Sequence, residues 1–124
     1  MNQSNKHDGR IANLSFAEVY PLYLAKIERK GRSKKELDQV IEWLTGFDSH
    51  QIKKFLQSEP TFAEFFKAAK LNPSAELIKG SICGVRVELI ANPLTQKIRY
   101  LDKLVDELAK GKKMESILRE PILE

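Results

Sequence analysis

NPLTQKIRYLDKLVDELAKG, residues Asn92 to Gly111, is the stretch whose reading decides the fold. Asn92 can cap a helix by accepting a backbone N–H bond. Pro93 suits the first helical position, because the donor it lacks would be unsatisfied there anyway. Gly111 ends the helix, since it turns left-handed without a Cβ penalty. Between them Leu94, Ile98, Leu101, Val105 and Leu108 recur at steps of four and three, with Leu104 widening the stripe. Lys97, Lys103, Asp106, Glu107 and Lys110 fall opposite, with Asp106 placed to pair with Lys110 one turn on. One face calls for a core and the other for water. The heptad-like spacing lasts about two heptads, too short for a coiled coil.

Upstream, the same helix grammar repeats. Ser15-Phe16-Ala17-Glu18 reads as a capping box for a helix running to Lys30, stopped by Gly31 and disturbed at Pro21. Ser33-Lys34-Lys35-Glu36 is a second box, opening a helix with Leu37, Val40, Ile41 and Leu44 inward, Trp43 at the core or its rim, and Gly46 as its end. Asp48 caps a third helix that stops before Pro60, and Thr61-Phe62-Ala63-Glu64 opens a fourth. Asn72-Pro73 starts a fifth, closed by Gly80. Between Gly80 and Ile90 the period changes: Val85, Val87 and Leu89 alternate with Arg86 and Glu88, as in a half-buried strand. Its partner would be Arg10 to Leu14 or the same strand of a second subunit, with a structured loop as the alternative. The fold expected is mainly α: a compact single-domain bundle of about six helices, with room for a short two-stranded ribbon. Residues 10–119 would form the domain, flanked by a disordered tail over 1–9 and a second tail over 120–124.

With 124 residues, 42% hydrophobic and 31% charged, the chain can bury a core without disulfides or a structural metal. The lone Cys83 rules out an internal disulfide, and with only His7 and His50 beside it no zinc site is expected. No run reaches membrane-spanning length and MNQSNKHDGR lacks the apolar middle of a signal peptide, so a cytoplasmic protein with no membrane partner is expected.

SFAEVYPLY (Ser15 to Tyr23), KGRSKKELD (Lys30 to Asp38), EWLTGF (Glu42 to Phe47), ICGVRVE (Ile82 to Glu88) and IRYLDKLVDELAKGK (Ile98 to Lys112) together resemble the bacterial Domain of Unknown Function 2200 family, from about Arg10 to Arg119. The resemblance implies a small bacterial cytosolic domain and names no activity. The chain departs from the family pattern at Asn92-Pro93, where members tend to carry Asp-Pro, and at Ala75, where they tend to carry arginine.

Charge is concentrated at one corner. From Lys26 to Lys35 there are six cations and one anion, Glu28, so the remaining chain nets about −1 of the overall +4. Cations ending the first helix complement its dipole. Lys34 and Lys35 sit in the first turn of the next, where a cation is unfavourable. A bound anion held by Arg32, Ser33, Lys34 and Lys35 would relieve that mismatch, and a phosphate-bearing ligand or a nucleic-acid backbone would serve; the bland reading is a solvated loop. No aromatic residue is interleaved, which argues against stacking on single strands, and the Gly46-Phe47-Asp48 junction is weak evidence for a helix-turn-helix.

Catalytic candidates are few. Cys83 could be a reactive thiol if Arg86 lowered its pKa and His50 acted as base, against the bland reading of a small buried hydrophobe. Asp102, Asp106 and Glu107 could serve as acids or metal ligands, against a solvated face neutralised by Lys103 and Lys110. HExxH, P-loop, GxGxxG and CxxC patterns are missing, so no catalytic residue, metal or cofactor is assigned. The leading expectation is a non-catalytic cytoplasmic binding or interaction module with an anion-binding basic corner, a homodimer being one form. The alternatives are a nucleic-acid-binding protein held by phosphate contacts and a small enzyme using Cys83 or the acids near Asp102.

Overall fold

The computed structural model describes residues 3–119, with side chains from residue 8 onward. In chain order the helices are α1 (Gln3–Ala12), α2 (Phe16–Glu28), α3 (Lys34–Thr45), α4 (Ser49–Ser58), α5 (Phe62–Ala68), α6 (Pro93–Ala109) and α7 (Met114–Ile117). A two-stranded ribbon, β1 (Ser81–Ile82) and β2 (Val85–Arg86), interrupts them, flanked by 3-10 turns at Pro73–Leu77 and Val87–Leu89. The protein is mainly α-helical.

Helix α6 is the centre. Asn92 Oδ1 accepts from Thr95 N at 3.0 Å, Pro93 stands at the first position, and Gly111 closes the end at φ 84°. The closure is a Schellman pair, Gly111 N on Leu108 O at 3.0 Å and Lys112 N on Glu107 O at 3.2 Å. Of the expected stripe Ile98, Leu101, Leu104, Val105 and Leu108 are buried and Leu94 is half-buried; Thr95, Tyr100, Glu107 and Ala109, which lie off it, are buried too. α1, α2, α3, α5, α7, β1 and the 87–89 turn all pack on this helix. A helix covered on most sides must bury some polar groups, and Glu107, expected on the solvent face, is 1% exposed. Arg119 covers it: Nη1 meets Glu107 Oε1 at 2.5 Å and Nη2 meets Oε2 at 2.7 Å, with Lys112 Nζ 3.5 Å from Oε2. The pair fastens the segment after α7 to α6.

All six phenylalanines meet where α2, α4 and α5 join. Phe16 and Phe65 stack at 4.1 Å, and Phe47, Phe55, Phe62 and Phe66 surround them. Capping boxes hold the starts of α3 and α5 as expected, and at α4 the expected cap Asp48 forms a box with Gln51. The box at Ser15 does not form. Ser15 is the N-cap residue of α2, but its side chain makes no capping bond, and its Oγ is buried without a partner among the described residues. Its backbone instead bridges Thr61, with Phe16 N on Pro60 O at 3.0 Å and Phe62 N on Leu14 O at 2.8 Å. α2 runs through Pro21 without a restart; Pro21 lies on the exposed face, where water can serve the carbonyl that loses its donor.

The N-terminal expectation also changes. Residues 3–12 are helical where a disordered tail over 1–9 was expected, and Arg10 to Leu14, one of the candidate partners for the strand at Val85, does not pair with it. Met1, Asn2 and the tail expected over 120–124 lie outside the described residues. The strand at Val85 finds its partner within five residues, with Ser81 opposite Arg86 and Ile82 opposite Val85. Cys83 and Gly84 form the turn with φ 51° and 81°, both left-handed, as a two-residue type I′ hairpin requires. Alternation then gives way to a 3-10 turn, which buries Val87 and leaves Val85 and Leu89 outside.

Candidate functional site

The four residues expected to hold an anion run from the α2–α3 connection, Arg32 and Ser33, into the first turn of α3, Lys34 and Lys35. Ser33 Oγ accepts from Glu36 N at 3.3 Å, and Glu36 Oε1 accepts from Ser33 N at 3.0 Å. Arg32 donates Nε to Glu36 Oε2 at 3.0 Å and crosses to the end of α6, where Nη1 reaches Lys112 O at 2.7 Å. Lys34 Nζ is 2.9 Å from Asp38 Oδ2, and the other oxygen of that carboxylate accepts from Tyr20 Oη at 2.5 Å. The chain thus supplies its own anions. The Arg32 hydrogen bond and the Ser33 N–H hold the Glu36 carboxyl below its ordinary 4.5. Lys35 is exposed and makes no ion pair among the described residues.

Cys83 occupies the first turn position of the ribbon and is exposed, not the buried hydrophobe of the bland reading. Its nearby cation is Arg99, whose Nη1 lies 3.3 Å from Sγ; Arg86 turns to Glu88 at 2.7 Å instead. Glu88, which also accepts from Gly80 N at 2.9 Å, is drawn down to about 2, chiefly by that backbone bond. His50, the base suggested by the sequence, lies on α4 in a groove with Lys34, Ser49, Ile52, Lys53 and Leu56. The thiol has a cation at hand, and His50 is not among its contacts within the described residues.

The acids of α6 are likewise engaged. Arg99 Nη1 meets Asp102 Oδ2 at 2.8 Å, and Tyr23 Oη donates to Asp102 Oδ1 at 2.5 Å. Burial, followed by the charge of Asp102, pushes the Tyr23 hydroxyl well above its ordinary value, so at neutral pH it is a proton-bearing donor. Asp106 sits 3.0 Å from Lys110 Nζ and 3.4 Å from Lys26 Nζ. Burial opposes its ionisation, yet these lysines leave the carboxyl below 3.8. Lys103, expected to neutralise this face, donates to Ser81 O at 3.2 Å and holds β1 to α6. Among the described residues no three His, Cys, Asp or Glu side chains gather as metal ligands.

A groove of about 420 Å³ opens between the ribbon and the start of α6. Val85, Leu89, Ile90 and Ala91 give it an apolar wall; Asp8, Arg86, Asn92, Thr95 and Arg99 form the polar side. Thr95 Oγ1 donates to Asp8 Oδ1 at 2.7 Å, and Gln96 Nε2 donates to Val87 O at 3.0 Å, which fixes the 3-10 turn against α6. Val85 is 44% exposed and Leu89 74%. Leu14, Leu22 and Leu77 are also exposed, but none of them lines this groove. Sequence reasoning does not single out Arg99, although its three-residue spacing from Asp102 on a helix was a usable signal. Asp8 had no local signal, because it reaches the site only through the packing of α1 on α6.

A search of the curated proteins finds no match. Among solved structures, the crystal structure of uncharacterized protein SP1917 is similar, with 43% sequence identity, a TM-score of 0.83, and coverage of 95% of this chain and 93% of the other. The profile of Domain of Unknown Function 2200, described as an uncharacterized protein conserved in bacteria, matches residues 10–119, and the chain belongs to that family.

Proposed function

We propose that the protein is a non-catalytic interaction module of the bacterial cytoplasm whose contact surface is the groove beside the ribbon, with Val85 and Leu89 as its apolar contacts. The observation that carries this reading is the pairing of two exposed aliphatic side chains with one apolar-walled groove. Contiguous exposed apolar surface costs solubility and is retained where a partner covers it. The basic corner is the weaker candidate, because Arg32, Ser33 and Lys34 already have partners within the chain. His50, the base suggested for Cys83, lies in a different groove, and the acids of α6 are held apart in separate ion pairs. An exposed free thiol fits a reducing compartment, which supports the cytoplasmic setting.

Photocrosslinking in living cells tests the reading. A photoreactive residue at position 89 should give a discrete adduct, and the same residue at the exposed Lys54 of α4 should not. Equal, diffuse labelling from both positions would overturn the proposal.

A further inference from the structure

The last turn of α2, the α2–α3 connection and the end of α6 come together at one end of the bundle, and the charge of the protein resides there. Lys26 and Lys110 share a single carboxylate, Asp106, at 3.4 and 3.0 Å. Arg32 ties the connection to the turn after α6 through Lys112 O at 2.7 Å. Residues 26–38 and 106–113 carry nine of the chain's 21 lysines and arginines but five of its 17 acids, so the twelve of each that remain cancel. The net +4 is therefore a property of this end and not of the surface at large.

A groove of about 600 Å³ lies in this end, lined by Lys26, Arg29, Lys30 and Ala109. Glu28, two residues from Lys26, falls on the opposite side of α2, because two residues turn a helix through about 200°. Arg29 donates Nε to Ala25 O at 3.3 Å, and neither Arg29 nor Lys30 forms an ion pair among the described residues. The ends of α2 and α6 supply roughly one negative charge between them, half from each helix C-terminus. Lys26, Arg29, Lys30 and Lys110 thus outweigh Asp106 and that dipole charge by about two positive charges. Among the described residues only Ala109 adds an apolar contact, so the groove offers charge and N–H donors but nothing on which a nucleobase or an apolar side chain could pack. We propose that this groove contacts the phosphodiester backbone of a nucleic-acid duplex without reading its sequence. It is a second surface, distinct from the groove beside the ribbon, and it does not draw on Ser33 or Lys34, which keep their partners within the chain.

Fluorescence anisotropy of a labelled, mixed-sequence DNA duplex of about 20 base pairs tests this. The protein should bind with a dissociation constant of about 10 μM at about 50 mM salt, and a rise to about 200 mM should weaken binding about 40-fold, as neutralising about three phosphates requires. Arg29→Ala combined with Lys30→Ala removes two exposed cations that hold no other element in place. That variant should keep its helical circular dichroism, lose affinity by at least about tenfold and flatten the salt dependence by about two phosphates. Lys54→Ala combined with Lys67→Ala makes the same change in net charge on α4 and α5. It should bind within about twofold of the wild type, since distant charges are screened. No binding at the lower salt, or equal losses from both double variants, overturns the proposal. Binding of poly-glutamate as tight as that of the duplex, abolished by the same Arg29 and Lys30 substitutions, would assign the surface to an acidic protein and overturn it likewise.

Discussion

The charge that matters most to this molecule is one a helical wheel assigns to water. Glu107 follows the acidic, exposed rhythm of its neighbours, and nothing local marks it as different. It is buried because α7 folds back and Arg119 arrives from twelve residues away with both terminal nitrogens. Removing one partner of a buried pair leaves a charge without compensation. Arg119→Ala should therefore lower unfolding free energy by about 3 kcal/mol, at the low end of the usual range because Lys112 stays near. Lys34→Ala, at a pair whose lysine side chain is 60% exposed, should cost no more than about 0.5 kcal/mol. Urea titration of both variants compares them directly; similar losses would mean that Glu107 behaves as a surface group.

At the scale of elements, caps and stops were legible because they are local chemistry. Ser33, Asp48, Thr61 and Asn92 each cap the helix they were expected to cap, and Gly46 and Gly111 end theirs. Ser15 shows the limit: its four-residue pattern is the same, but a bridge to Thr61 from another part of the chain claims its backbone. The ribbon was half legible. Its period was visible, while its partner was not, since Cys83-Gly84 is an unusual pair for a left-handed turn that favours Asn-Gly. Cys83 at φ 51° carries a Cβ penalty that asparagine tolerates better. Cys83→Asn should stabilise the protein by about 0.5 kcal/mol. Thermal melting checks this, and a loss of stability would show that the Sγ contact with Arg99 outweighs the turn preference.

For the whole molecule, the three tyrosines report on the integrity of the fold. Burial is the first cause of the raised pKa at each of Tyr20, Tyr23 and Tyr100, reinforced by Asp38, Asp102 and Glu76 respectively. Raised folded-state values mean stability that is complete below the ordinary 10.0 and lost as pH climbs above it. The native protein should show little tyrosinate absorbance at pH 10, and the signal should then appear together with loss of helical circular dichroism. Gradual ionisation with helicity intact would show that the rings are not held as described. On the acid side the depressed Asp106 and Glu36 work the other way: their contribution is present above 3.8 and 4.5 and disappears as pH falls through the lower folded values.

The same scale separates what the sequence could say about function from what it could not. Net charge pointed to the basic corner, because a run of cations is visible without a fold. The carboxylates of Glu36, Asp38 and Asp106 that pair with Arg32, Lys34 and Lys26 at that corner become visible only with α3 and α6 in place. The groove needed the ribbon, the 3-10 turn and the start of α6 to come together. The stretch Val85 to Leu89 beside it alternates as a strand would, and a strand would have set Val87 on the same face as Val85 and Leu89.

The most direct measurement is a pair of backbone amide spectra of the isotope-labelled intact protein, one in buffer and one in nuclease-treated bacterial cell extract. Broadening should be confined to Val85–Asn92, with Ser33–Asp38 unchanged. Broadening centred on Ser33–Asp38, or spectra that are the same in buffer and extract, would show that the groove is not the contact surface.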